Sequence, residues 1–166
     1  MSNFAFLPEP LKTVRDAAVN AEGHINGDPR SACFQCRFAL ESIVHWLYRY
    51  ERRLNKPYDE SLGTLLHEPS FQELMPPQVF QKARLIQKKG NQAVHNARDV
   101  QRGEALQVVK DLHHLCRWLV RLYAQDALAN FRDWDDSKLP APADTSAMVS
   151  RDELLALEKK LSLIHI

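Results

Sequence analysis

Between Val100 and Ala127 apolar residues return every three or four positions: Ala105, Val108, Val109, Leu112, Leu115, Cys116, Leu119 and Tyr123. A helical repeat of 3.6 residues puts all of them on one broad face. A face that wide has to be covered on several sides at once, so this segment reads as the central helix of a bundle. The rest of the chain supplies partners for it. Leu11, Val14, Ala18 and Ala21 predict a first helix from about Pro8 to Glu22, stopped near Gly23 and followed by an Asn26-Gly27 turn. Asp28-Pro29 is an N-cap with proline at the first helical position. The helix it opens runs to about Leu54 on the stripe Cys33, Cys36, Leu40, Ile43, Leu47, Tyr50 and Leu54. Residues 61–74 hold two short helical turns separated at Pro69. Met75-Pro76-Pro77 starts a third long helix, to about Ala97, on Val79, Ala83, Ile86, Gly90, Ala93 and Ala97. Only 5 glycines and no β-branched runs leave little for a sheet. The expected fold is therefore all-α, an antiparallel bundle of about four long helices spanning residues 1–131.

Past the bundle the chain changes character. Residues 132–149 are rich in Pro, Ala, Asp and Ser without a helical stripe, and read as a linker. Ser150-Arg-Asp-Glu153 resembles a capping box, and Leu154, Leu157 and Leu161 begin a heptad-like pattern. Residues 150–160 thus read as the start of a coiled-coil helix, in a fragment of a larger protein. The final LSLIHI, residues 161–166, reads as a non-native tail and is set aside.

Charge gives no global clue, because 22 Lys and Arg face 21 Asp and Glu. The start of the chain has no basic, apolar leader, and no apolar run approaches the ~18 residues that span a bilayer. A reducing, cytoplasmic setting is expected. Cys33-x-x-Cys36 sits on a core stripe with no second pair to complete four zinc ligands, and His24 would add only a third. Buried apolar thiols are expected for these and Cys116, and no metal site. His113 and His114 point about 100° apart on a helix, which suits solvated or core-edge positions rather than one metal.

The informative stretch is Lys88-Lys-Gly-Asn-Gln-Ala-Val-His95. Arg84, Lys88, Asn91, His95, Arg98 and Arg102 step by three and four and predict a second stripe, apart from the core stripe through Gly90. Asp99 is the one acid between Gln81 and Arg102, so Arg84, Lys88, Arg98 and Arg102 are candidate phosphate-binding residues. A glycine inside a helix costs about 1 kcal/mol against alanine, and Gly90 suggests the close approach of another helix. Arg37 and Glu41, an i, i+4 pair on the second helix, are expected to join Asn91 and His95 in one polar network. No Gly-rich phosphate loop, HExxH or other recognisable catalytic motif is present.

The opening SNFAFL, the Cys-Arg37-Phe-Ala-Leu-Glu41 stretch and Gly90-Asn-Gln-Ala-Val-His95 together resemble the N-terminal helical domain of type I restriction enzyme R subunits and related helicase-like restriction proteins. That domain is similar to the HEPN superfamily of helical bundles, which often dimerise. The resemblance implies a non-catalytic interaction module. Downstream of it would stand nuclease and RecA-like motor domains that use ATP and Mg, making the full-length protein an ATP-dependent type I site-specific deoxyribonuclease subunit. No cofactor is expected in the fragment itself. The implied partners are methyltransferase/specificity subunits or a second copy, with weak contact to DNA or RNA backbone. Active HEPN ribonucleases carry an arginine and a histidine with four to six residues between them. The alternative this implies is a metal-independent ribonuclease with His95 as catalytic histidine, Asn91 as intervening polar residue and Lys88 in the arginine's place. A free-standing dimeric adaptor is the third reading.

Overall fold

The computed structural model describes residues 1–141 and 149–164, with backbone alone from Ser162 onward. Its described residues are all-helical and contain no strand. A 3-10 turn, Glu9–Leu11, leads into α1 (Lys12–His24), followed by α2 (Pro29–Tyr50), two short helices α3 (Leu62–His67) and α4 (Pro69–Leu74), then α5 (Pro77–His95), α6 (Arg102–Tyr123) and α7 (Arg151–Ile164). The helix α2 is the hub and packs against α1, α5 and α6. Leu40, Ile43, Val44 and Leu47 of α2 are fully buried, as are Ile86 and Ala93 of α5 and Val108, Leu112, Leu115 and Leu119 of α6. Each such leucine or isoleucine contributes about 1.5–3 kcal/mol of transfer free energy. Cys33, Cys36 and Cys116 lie among them as free thiols, and burial raises the pKa of each, that of Cys33 to about 12.

Local chemistry sets the ends. The Asp28 carboxylate accepts from Ser31 N (3.3 Å) and Ser31 Oγ (2.6 Å), which caps α2. Four residues earlier than the stripe suggested, α2 stops at Tyr50, because Glu51 adopts an extended backbone (φ −94°, ψ 110°). Its carboxylate then accepts from Arg53 N and Nε and from the Tyr123 hydroxyl at 2.6 Å. These bonds hold the Glu51 carboxyl down at about 2. The helix α5 likewise ends at His95 rather than Ala97, since Asn96 is extended (φ −100°, ψ 130°). Buried Arg30 donates to the carbonyls of Ala93, Asn96 (3.0 Å) and Arg98 (2.7 Å), placing a cation on the negative end of α5.

One segment differs from the reading of the sequence, and a second adds to it. Part of the expected linker is joined to the bundle. Asn3 exchanges two hydrogen bonds with the Asp135 backbone (2.8 and 3.1 Å) while donating to buried Glu22. Trp134 packs edge-on to Phe4 and His113, and Asp136–Lys138 forms a 3-10 turn. His113 is accordingly buried, enclosed by Phe4, Phe6, Phe131 and Trp134, and burial lowers its pKa to about 4. It is neither solvated nor at the core edge, because the N-terminal aromatics and the 131–134 segment close over it. Residues 142–148 of the expected linker, and the last two of the tail, lie outside the described residues. The second segment is α7, read from the sequence as the start of a coiled-coil helix, which lies against α5 and α2.

Candidate functional site

The crossing of α2 and α5 is built on Gly90. A Cβ at that position would stand 2.4 Å from Arg37 Cβ, far inside contact distance, so glycine lets the stem of Arg37 lie flat against α5. The guanidinium this positions is mostly buried. Its Nη2 lies 3.7 Å from Glu41 Oε1, one turn along α2, and its Nη1 lies 3.0 Å from Glu158 Oε1 of α7. The second contact is one of charge rather than an aligned hydrogen bond, and Arg37 Nε has no acceptor among the described residues. His95 reaches the same carboxylate, with Nε2 3.8 Å from Glu158 Oε2. Glu158 therefore lies between Arg37 and His95, and His95 itself remains 61% exposed at its side chain.

Beside Glu158, Leu154 is 2% exposed and forms a small apolar cluster with Phe34 of α2 and Val94 of α5. Leu161, set aside with the tail in the sequence, packs against the same cluster. The Val149 amide donates to Asp28 Oδ2 at 2.8 Å, so the residue that caps α2 also holds the entry to α7.

Asn91 faces elsewhere. It lines a neighbouring cleft of about 530 Å³ between α3 and α5, with His67, Gln81, Arg84, Gln87 and Lys88, and no carboxylate lines it. The His67 ring is oriented by the α3 backbone: Nδ1 lies 2.7 Å from the Gly63 carbonyl, and Nε2 is in contact with Arg84 Nη1. The other cations of α5 are already paired with acids, Lys82 with Asp111 (3.4 Å) and Lys89 with Glu104 (3.8 Å). Arg84 and Lys88 have no carboxylate within ion-pair distance among the described residues.

Of the six residues of the basic stripe, the structure keeps Arg84, Lys88, Asn91 and His95 on α5 and separates the other two. Because the helix breaks at Asn96, Arg98 turns to Glu104 (3.4 Å) and Arg102 donates to Asn26 Oδ1. Of the expected network, Arg37, Glu41 and His95 lie around Glu158, while Asn91 belongs to the cleft. Among the described residues no three His, Cys, Asp or Glu side chains are grouped to hold a metal ion.

The sequence reading missed Glu158, His67 and Arg30. Glu158 had one available signal, its spacing of four from Leu154 and three from Leu161, which puts all three on one face of α7. For Arg30 the signal was a cation in the first turn of α2, where the helix dipole favours acids, so its charge had to be used elsewhere. Nothing in the sequence distinguished His67.

No curated protein and no solved structure matches the chain. The model of a family described as a domain of unknown function, DUF4145, matches residues 19–139, which run from within α1 to the turn at Asp136–Lys138 and stop before α7. This match spans most of the chain and takes in the bundle, the Arg37–Gly90 crossing and the cationic cleft: the protein belongs to the DUF4145 family.

Proposed function

We propose that this domain is a non-catalytic helical interaction module, cytoplasmic, of a restriction protein resembling type I R subunits, and that it contacts nucleic-acid backbone through the cleft between α3 and α5. The observation that carries this reading is the pairing of charges on α5. Lys82 and Lys89 are met by acids, whereas Arg84 and Lys88 line a concave, carboxylate-free surface. Cations arranged in this way attract phosphate, and Arg84 supplies a planar fork for its oxygens. His95, the catalytic histidine of the HEPN-like alternative, lies against a carboxylate instead. ATP, Mg and DNA cutting would belong to the rest of such a protein, and methyltransferase/specificity subunits would be its partners.

The test is anisotropy of labelled single-stranded DNA, duplex DNA and RNA over a salt series. With Arg84 and Lys88 each neutralising one phosphate, log affinity is expected to fall against log salt with a slope of about −1.4 to −1.8. Arg84→Ala/Lys88→Ala abolishes that slope, and Lys56→Ala leaves it unchanged. Binding that ignores both salt and the double substitution contradicts the reading.

One observation favours the ribonuclease as a second reading. Arg37 and His95 approach the two oxygens of a single carboxylate, so an Arg–His pair that is lacking along α5 exists between helices. A phosphate in place of that carboxylate would meet both an acid–base group and a fixed cation. RNA cleavage in the presence of EDTA, lost in His95→Ala, would put this reading first.

A further inference from the structure

We propose that the groove between α2 and α5 is an acceptor site for an amphipathic helix of a partner protein, one with leucine and glutamate four residues apart, and that α7 is a built-in competitor for that helix.

The floor of the groove belongs to the bundle. Phe34 and Val94 form its apolar part, and the Arg37 guanidinium with the His95 ring beside it forms its polar end. Gly90 allows no side chain to separate Arg37 from α5, so the position of the guanidinium is set by the crossing of two bundle helices. All five residues fall within the stretch 19–139 that the family model matches, and α7 falls outside it. The groove is thus part of the family's domain, and its occupant here comes from beyond it.

The occupant shows what the groove selects. Leu154 and Glu158 follow one another at i and i+4 and lie on a single stripe. Leu154 enters between Phe34 and Val94 while Glu158 supplies a carboxylate to Arg37 and His95. Glu41 meets the mostly buried guanidinium at Nη2 from 3.7 Å, and an acid at the register of Glu158 faces its other end, Nη1, at 3.0 Å, so it neutralises the cation more closely than Glu41 does alone. A helix fits this combination of apolar floor and one polar end better than a nucleic acid does, because a phosphate chain would leave Phe34 and Val94 uncovered.

The hold on α7 is slight. The main core includes none of its residues, and the small cluster contains three buried side chains, Phe34, Val94 and Leu154. What favours α7 is its tether, which keeps it at high local concentration. A partner helix carrying the same pattern and additional contacts displaces it, a recognition mode in which spaced anchors of one helix enter the groove of another. This inference concerns the α2–α5 groove and not the α3–α5 cleft, so it stands or falls separately from nucleic-acid binding.

The experiment opens the groove in the full chain with Leu154→Asp/Glu158→Ala and adds a labelled peptide of residues 149–161. Circular dichroism melts establish that the bundle of the variant still unfolds cooperatively. The peptide is expected to bind the opened chain at least tenfold more tightly than the parent chain, whose groove is filled. A peptide with Glu158→Lys loses that binding, and adding Arg37→Glu to the opened chain reverses the preference between the two peptides. Should Arg37→Glu not fold, Arg37→Ala is expected to remove the preference for the glutamate peptide. Four results overturn the proposal: no binding to the opened chain, equal binding to parent and opened chain, indifference to the charge at position 158, or displacement of the peptide by RNA of comparable affinity.

Discussion

The α6 side of the bundle and the patch beneath α7 both bury leucines, but they do so in different ways. Around α6, Val108, Val109, Leu112, Leu115, Cys116, Leu119 and Val120 are enclosed by α2 and α5, in a core that also reaches α1. Beneath α7, Leu154 is buried in a small cluster apart from the main core, and a shared carboxylate completes the contact. Apolar burial on many sides is cooperative and resists local opening. One leucine and an ion pair at the rim of the bundle can come apart while the bundle stays folded. The same chemistry therefore serves as architecture in one region and as a releasable contact in the other.

The largest separation between the two regions is expected from truncating the core. Leu112→Ala leaves a cavity on the central helix and lowers global stability by about 2–5 kcal/mol, read from the urea midpoint. It is expected to affect α7 only through unfolding of the whole domain.

Next comes acid. The pKa of His113 is lowered from the ordinary histidine value of 6.5 to about 4, because protonating it would charge a ring enclosed by aromatics. The unfolded chain takes up that proton and the folded chain does not. Its contribution is therefore whole above pH 6.5 and is lost as the pH falls toward 4. The loss amounts to about 3 kcal/mol at most. Urea melts between pH 7 and 4 check this, with a shallower pH dependence expected in His113→Phe. Equal pH dependence in the two proteins would remove His113 from the account.

Gly90→Ala should cost about 1–3 kcal/mol despite alanine's better helix propensity. The added Cβ meets Arg37 Cβ, an atom close to the α2 backbone and unable to swing aside. This substitution links the two regions, since it strains the bundle and also shifts the guanidinium that holds Glu158. A rise in thermal midpoint would show that the helices have room to spare. The smallest global effect is expected from Leu154→Ala, about 0.5 kcal/mol or less on the unfolding of the bundle.

How much of this could be read from sequence follows the same division. The α6 stripe was legible because a face of that width repeats its signal over several turns. The two short helices about Pro69 and the cap at Asp28 were legible because their chemistry is local. Trp134 and Asn3 were not, because single residues more than a hundred positions apart carry no periodicity, and a Pro- and Asp-rich stretch resembles a linker even where it packs. The basic stripe was over-extended for a related reason. Spacing by three and four has meaning only while the helix lasts, and nothing before Asn96 announces the break that carries Arg98 and Arg102 away. For α7 the helix itself could be read, but its leucines specify a need for cover without naming what provides it. Phe34 and Val94 can be assigned to that task only once α2 and α5 are side by side.

The central claim is that α7 is a separable occupant of a groove belonging to a stable bundle. Native-state hydrogen exchange on the full chain tests it most directly. The amides of α6 should exchange only through global unfolding. Those of α7 should be protected about a hundredfold less or more weakly still, a gap of at least about 3 kcal/mol. In Leu154→Ala, α7 should lose protection while α6 keeps it. Equal protection of α6 and α7, falling together in Leu154→Ala, would contradict the account and make α7 an integral helix of the bundle.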